Sequence, residues 1–172
     1  MTILGVDPGF AKTGFGVIRI ESGRISHIAH DIISTEPSLQ TGARLKIIHD
    51  GICAAADLYK PDFAAVENLY FSKNISSALP VAQARGVVLL ALAQREIDAR
   101  EYSPLEIKQA ITGSGRAGKS QVQELVRFLL ALREIPKPDH ASDALAAAIC
   151  CYHMVAAERK LSPPENVKEK ES

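Results

Sequence analysis

Three strand-like segments follow one another at the start of the chain, and this order limits the possible folds more than any other feature of the sequence. They cover Thr2 to Asp7, Thr13 to Ile20 and about Arg24 to Ser34, with turn signals at Pro8-Gly9 and Ser22-Gly23 between them. A doubly wound sheet would place a helix after each strand. We therefore predict that the fold begins with an antiparallel meander of three strands.

The rest of the chain alternates predicted helices with predicted strands. Apolar spacing and turn residues predict a helix over Leu39–Tyr59, a strand over Asp62–Glu67, a helix over Ser77–Gln94, a strand over Ala99–Tyr102 and helices over Leu105–Ile111, Ser120–Leu132 and His140–Ala156. This order predicts an α/β fold with one mixed sheet, in which parallel strands extend the meander and helices flank the sheet.

Several of the predicted helices carry further signals. The 77–94 segment is rich in Val, Leu and Ala and lacks a polar face, so we expect it to be largely buried. Ser103-Pro104 has the pattern of an N-cap followed by a first-turn proline, and Ser120 with Gln123 has the spacing of a capping box. The three cysteines lie in apolar helical segments and are interpreted as reduced core thiols: Cys53, Cys150 and Cys151.

A length of 172 residues fits one domain, which we place at residues 1–158. Residues 159–172 contain Ser162-Pro163-Pro164 and then alternating Lys and Glu, so we expect a disordered tail with too little apolar content to pack. The sequence has neither a run of about 18 apolar residues nor a basic and then apolar leader. We therefore expect a cytoplasmic protein without a membrane partner.

The formal net charge is zero, because 20 basic residues face 20 acidic ones. Bulk electrostatics cannot hold a polyanion on such a chain, so any contact with nucleic acid must be local. Residues 106–127 hold four basic side chains and two acidic ones, a net charge of +2: Lys108, Arg116, Lys119 and Arg127 against Glu106 and Glu124. A DNA-binding patch and a solvated helix face both fit this pattern.

Two carboxylates end two apolar strands. Asp7 follows Ile3-Leu4-Gly5-Val6, and Glu67 follows Phe63-Ala64-Ala65-Val66. Ligand sites in open α/β sheets lie outside the carboxyl ends of the strands, and burying an unpaired charge costs several kcal/mol. The two acids therefore indicate a shared site, although Asp7 alone could instead cap the turn that follows it.

A third acidic contribution lies at the start of the last predicted helix. His140 and Asp143 are three residues apart, and Asp139 and Asp143 are four apart, so either pair can converge on one ion. Alternatively, Asp139 is the N-cap, which is the interpretation we prefer for it, and His140 is a surface histidine. Carboxylates with a histidine favour Mg²⁺ or Mn²⁺ over structural zinc, and two such ions about 4 Å apart support phosphodiester hydrolysis.

Five motifs occur in order within residues 1–157: Ile3-Leu4-Gly5-Val6-Asp7-Pro8-Gly9, Val66-Glu67-Asn68, Gln83-Ala84-Arg85-Gly86, Lys119-Ser120-Gln121-Val122-Gln123 and Ser142-Asp143-Ala144-Leu145-Ala146. Together they resemble one family, the RuvC-type Holliday junction resolvases. The resemblance implies a ribonuclease H-like fold and a homodimer that nicks a four-way DNA junction symmetrically, with two Mg²⁺ ions per site, during recombination and repair. It also leaves room for a branch-migration helicase as a partner.

The same resemblance implies roles for individual residues. Asp7, Glu67 and Asp143 match metal-binding acids of the family, and His140 stands at a fourth position that is an aspartate in some members. Lys108 and Lys119 match lysines that act near the scissile phosphate, where a compact cation counters growing charge. Four more residues are candidate DNA contacts: Tyr70, Phe71, Lys73 and Arg116. A stacking role for Tyr70 competes with that of a lid over the core, and Asp139 stays open as the fourth ligand.

Two other functions compete with nuclease activity. Residues 113–120 satisfy the P-loop pattern G-x-x-x-x-G-K-[ST], but a P-loop follows a strand and the preceding segment is predicted to be helical. A catalytically inactive junction-binding homologue is the second alternative. The filled acidic positions argue against it.

Overall fold

The fold is described from a computed structural model, which covers residues 1–68 and 75–161, with the backbone alone for 75–77. The described strands are β1 (Thr2–Asp7), β2 (Lys12–Glu21), β3 (Arg24–Ser34), β4 (Phe63–Glu67) and β5 (Asp98–Tyr102). The described helices are α1 (Thr41–Tyr59), α2 (Ile75–Ala93), α3 (Pro104–Thr112), α4 (Lys119–Leu129) and α5 (Asp139–Leu161). None of the described helices is long and apolar enough to cross a membrane.

The five strands form one mixed sheet in the order β3-β2-β1-β4-β5. β1 pairs antiparallel with β2 and β2 antiparallel with β3, while β1, β4 and β5 run parallel. The predicted meander and its parallel extension are therefore confirmed. In the β1–β4 register Val6 faces Val66, which brings the next residues, Asp7 and Glu67, side by side at one edge of the sheet.

Helices cover both faces of the sheet. The core on one face is built mainly by α5, with α3 and α4 beside it, and the core on the other face by α1 and α2. Two glycines let α5 lie directly on the strands, because a Cβ atom at Gly5 would overlap the Ala144 carbonyl and one at Gly14 would overlap the His140 carbonyl. The first turns of α5 are thereby held against β1 and β2.

Several predicted details need correction. The Ser103 capping box of α3 is confirmed, with both reciprocal bonds to Glu106 present. The capping box predicted for Ser120 is wrong, because α4 begins at Lys119 after Gly118, which makes no side-chain cap bond. α4 also ends at Leu129, three residues earlier than predicted, where Leu130 leaves the helical backbone conformation.

The last helix is longer than predicted. α5 continues to Leu161, past both the predicted end at Ala156 and the predicted domain boundary at residue 158. Residues 162–172 lie outside the described part of the chain, so the disordered tail stays a prediction there. The interpretation of the cysteines is confirmed, since all three are free and buried.

The prediction that α2 is largely buried is wrong for one of its faces. Ala84, Val88, Ala91 and Leu92 pack into the core, but a stripe on the opposite side is exposed. Five residues spaced four and three apart form this stripe, which we call the α2 stripe: Leu79, Gln83, Gly86, Leu90 and Ala93. A helix that is apolar all round thus buries only half of its circumference against its own chain.

Candidate active site

The three predicted acids converge at one edge of the sheet. Asp7 and Glu67 end the adjacent parallel strands β1 and β4, and the first turn of α5 lies above them because glycines remove the side chains between. His140 Nδ1 donates to Asp7 Oδ2 at 2.7 Å, and Lys119 Nζ donates to Asp143 Oδ2 at 3.1 Å. Residues more than 130 positions apart in sequence therefore share one site.

The electrostatics of this site show an excess of negative charge. Burial, and then the charges of Asp7 and Asp143, raise the pKa of Glu67 to about 8. Burial also raises the pKa of Asp143, against the effect of the ion pair with Lys119. The hydrogen bond to Asp7 raises the pKa of His140, which favours the imidazolium form. A carboxyl group with a pKa as high as that of Glu67 indicates a site that lacks positive charge.

Asp139 and His140 occupy different surroundings. His140 contacts Asp7 directly, whereas the exposed Asp139 carboxylate lies 3.2 Å from Lys119 Nζ and 3.2 Å from Gln123 Nε2. Asp139 is the first residue of α5, and these contacts turn its side chain toward α4. The expectation that Asp139 serves as the N-cap is therefore not supported by its side-chain bonds.

The predicted lysines line the cavity in front of the acids. This cavity has a volume of about 220 Å³ and is lined by Glu67, Pro104, Ile107, Lys108, Lys119, Val122, Asp143 and Ala146. Its lining therefore combines two carboxylates, two lysines and the apolar side chains of α3 and α4. The cavity can therefore place a phosphate between ammonium groups and carboxylates.

The donor set suits a hard cation, although the side chains are not gathered around one. Among the described residues no three Asp, Glu, His or Cys side chains stand close enough together to hold a metal ion as they are placed. Asp7 is bonded to His140 and Asp143 to Lys119 instead. The Glu67 carboxylate has no hydrogen-bond partner in the described part of the chain, and its raised pKa makes it the group that most needs a cation.

The remaining sequence-predicted residues have mixed outcomes. Arg116 is exposed in the turn between α3 and α4, close in sequence to Lys119. Tyr70, Phe71 and Lys73 lie outside the described residues, so their roles stay predictions. The P-loop pattern at 113–120 follows α3 and not a strand, which removes the structural context that nucleotide binding requires.

Two lysines beside the site were missed in the sequence. Lys12 and Lys137 line a second opening together with Pro138, Asp139 and His140. Their signal was weak, because each is a single basic residue in a neutral chain. Their closeness to the Asp7 and Asp143 motifs was the only available clue.

Comparison with known proteins places these observations in one family. The model of the family "Crossover junction endodeoxyribonuclease RuvC" matches residues 3–151. The relative of that name from Heliobacterium modesticaldum is 48% identical over 153 residues, which are 89% of this chain and 94% of the relative. The relative from Treponema denticola is 52% identical over 147 residues, which are 86% of this chain and 83% of the relative.

A solved structure agrees with these sequence matches. The structure of Thermus thermophilus RuvC in complex with Holliday junction substrate has a TM-score of 0.88 and 30% sequence identity, covering 92% of this chain and 96% of that one.

Proposed function

The chain belongs to the family of crossover junction endodeoxyribonuclease RuvC, and we propose that its acidic cavity cuts a four-way DNA junction by Mg²⁺-dependent phosphodiester hydrolysis. Its sheet and helices have the ribonuclease H-like fold, and it is an endonuclease that resolves Holliday junctions in recombination and repair. With chromosomal junctions as the substrate, its place of action is the cytoplasm.

The convergence of Asp7, Glu67 and Asp143 is the observation that carries the metal-dependent mechanism. Three carboxylates at one edge of a sheet repel one another, and the pKa of about 8 at Glu67 reports that repulsion together with burial. We assign these three acids as ligands of two Mg²⁺ ions, with His140 at the fourth position because it contacts Asp7 and Asp139 does not. Bound Mg²⁺ supplies an activated water and charge stabilisation at the leaving oxygen.

The side chains of the site have distinct tasks around the DNA. Release of Asp143 leaves the Lys119 ammonium paired only with the exposed Asp139, so that it is able to contact the scissile phosphate. Lys108 lines the same cavity and adds a second positive charge. Both lysines counter the charge that grows on the phosphate in the transition state. The apolar side chains of Ile107 and Val122 limit water around the phosphate.

A homodimer would let two such sites cut one junction symmetrically. The α2 stripe is the surface we assign to the second copy of the chain, since Leu79 is 63% and Leu90 53% exposed and the stripe holds no charge. A Cβ atom at Gly86 would meet nothing within 4 Å, so packing inside the chain does not require glycine there. Glycine in a helix costs about 1 kcal/mol relative to alanine, and close approach of a partner helix explains its presence.

Cleavage of a labelled four-way junction tests the proposed chemistry. In Mg²⁺ the unaltered protein is expected to place paired nicks, and Asp7→Asn is expected to lower the cleavage rate at least about 1000-fold while binding the junction with nearly unchanged affinity. Asp31→Asn, an exposed acid on β3, is the matched control and should cut normally. Junction binding without nicks by the unaltered protein, at every Mg²⁺ concentration, would leave only a binding homologue.

A further inference from the structure

A second opening lies beside His140 and carries positive charge that the proposed chemistry does not use. Lys12, at the start of β2, and Lys137, just before α5, line it with Pro138, Asp139 and His140. Both lysines are exposed, and neither has a hydrogen bond or an ion pair with any other side chain in the described part of the chain. The one acid of the opening, Asp139, is already paired with Lys119 at 3.2 Å.

The opening adjoins two neighbours. It shares His140 with the acidic cluster and shares Lys137 with a third opening, which His30, Arg133 and Glu134 line together with apolar residues. Lys108 and Lys119 line a separate cavity together with Glu67 and Asp143. Cationic side chains therefore line two different openings that border the carboxylates.

The sheet register fixes how far Lys12 lies from the acids. Asp7 pairs with Gly14 across β1 and β2, and Lys12 is two residues further along β2. At about 3.4 Å per residue, its backbone is roughly 7 Å beyond that pair. This offset places Lys12 in reach of a phosphate about one or two nucleotides from the scissile one.

We propose that Lys12 and Lys137 form a second phosphate-binding subsite, which holds the backbone of the junction strand about one or two nucleotides from the scissile phosphate. The proposal rests on the proposed function, because the strand enters this opening only when a phosphate occupies the acidic cavity. A chain with a net charge of zero gains affinity for DNA only from such local pairs of unmatched cations. Contact at a second phosphate also fixes the direction of the strand across the acids.

Junction binding by charge-neutral variants tests this subsite. Lys12→Gln, Lys137→Gln and the double variant are compared with Lys46→Gln, which removes the same charge from an exposed lysine on α1. Binding is measured in a chelator at several salt concentrations. In the homodimer the double variant loses two phosphate contacts per copy, or four in all, which is expected to weaken binding at least about tenfold near 0.1 M salt and to reduce the slope of log K against log salt by about 4, whereas Lys46→Gln leaves both unchanged.

A second measurement locates the phosphate. Neutral methylphosphonates are placed singly at each position around the cleavage site, and binding of each junction is measured with the unaltered and double-variant proteins. One or two substitutions, about one or two nucleotides from the cut, are expected to weaken binding of the unaltered protein but not of the double variant. Equal sensitivity of both proteins at every position overturns the subsite, as does an unchanged salt slope.

Failure of the subsite and failure of the proposed function are distinguishable. If the unaltered protein nicks the junction in Mg²⁺ and the double variant binds like the unaltered protein, the subsite is wrong and the nuclease function stands. If the unaltered protein makes no nicks but the salt slope falls in the double variant, the subsite stands and the cleavage chemistry fails. In the steady state, the subsite predicts that loss of kcat/KM in the double variant falls mainly on KM.

Discussion

α5 and α2 are both rich in small and apolar residues, yet they lie on the sheet in different ways. α5 is buried almost without interruption from Ala141 to Cys151, and Gly5 lets its backbone approach β1 closely. α2 buries one side and exposes the α2 stripe on the other. α5 completes a site within the chain, whereas α2 keeps an exposed stripe that we assign to a second copy of the chain. Apolar composition alone does not distinguish these two roles.

The largest expected effect comes from a methyl group added between β1 and α5, which would break this contrast. In Gly5→Ala the new Cβ overlaps the Ala144 carbonyl, which cannot move without shifting the helix, so we expect a loss of at least about 3 kcal/mol in the free energy of unfolding. Urea denaturation measures it. If the variant were as stable as the unaltered protein, the close seat of α5 on β1 would be wrong.

The Glu67 carboxyl group, buried beside α5, gives the free energy of unfolding a pH dependence of similar size. In a chelator, the folded state binds more protons than the unfolded state between the ordinary Glu pKa of 4.5 and the Glu67 value of about 8, so stability falls as pH rises through this window. We expect a decline on the order of 3 kcal/mol in the unaltered protein. The raised pKa values of His140 and Asp143 add to it with the same sign.

Glu67→Gln isolates the part of this decline that Glu67 causes. Urea denaturation between pH 5 and 8.5 should give a much flatter curve for the variant, which cannot lose that proton. Addition of Mg²⁺ should flatten the curve of the unaltered protein, because a bound cation favours the ionised carboxylate. Identical pH curves for the two metal-free proteins would contradict the assignment of the excess charge to Glu67.

A charge on the α2 stripe sharpens the other half of the contrast. Leu90→Glu would place carboxylates at the proposed dimer contact, and we expect the dissociation constant of the dimer to rise at least about 100-fold, or roughly 3 kcal/mol. Analytical ultracentrifugation measures this change. Leu58→Glu on α1 is the matched control, since Leu58 is 71% exposed and lies off the stripe. Dimers that persist in Leu90→Glu would remove α2 from the interface.

The smallest expected effect comes from the same type of substitution, glycine to alanine, this time in α2. Gly86→Ala adds a methyl group where nothing lies within 4 Å, so a monomer should gain up to about 1 kcal/mol from helix propensity. The same methyl group should weaken the dimer, because it separates the two α2 helices. The free energy of unfolding, measured at low protein concentration, should therefore rise. The free energy of dimer dissociation, measured at high concentration, should fall.

The order of elements and the meeting of the three acids could be predicted from the sequence, since each acid ended an apolar strand or lay in the first turns of an apolar helix. The exposure of α2 could not, because an apolar face looks the same whether its own chain or a second copy covers it. The different contacts of Asp139 and His140 could not be predicted, because they depend on the rotation of α5 about its axis. Gly5 and Gly14, which are far from α5 in the sequence, determine that rotation. The failed Ser120 prediction has a local cause, namely that the helix begins one residue earlier.

The position of β1 in the middle of the sheet has a consequence for the newly made protein. β1 precedes its neighbour β4 by about 60 residues in the chain, and the His140–Asp7 bond joins residues 133 positions apart. A nascent chain that stops short of α5 carries Asp7 and Glu67 without the third acid. The proposed set of three acids is therefore complete only once α5 has been synthesised.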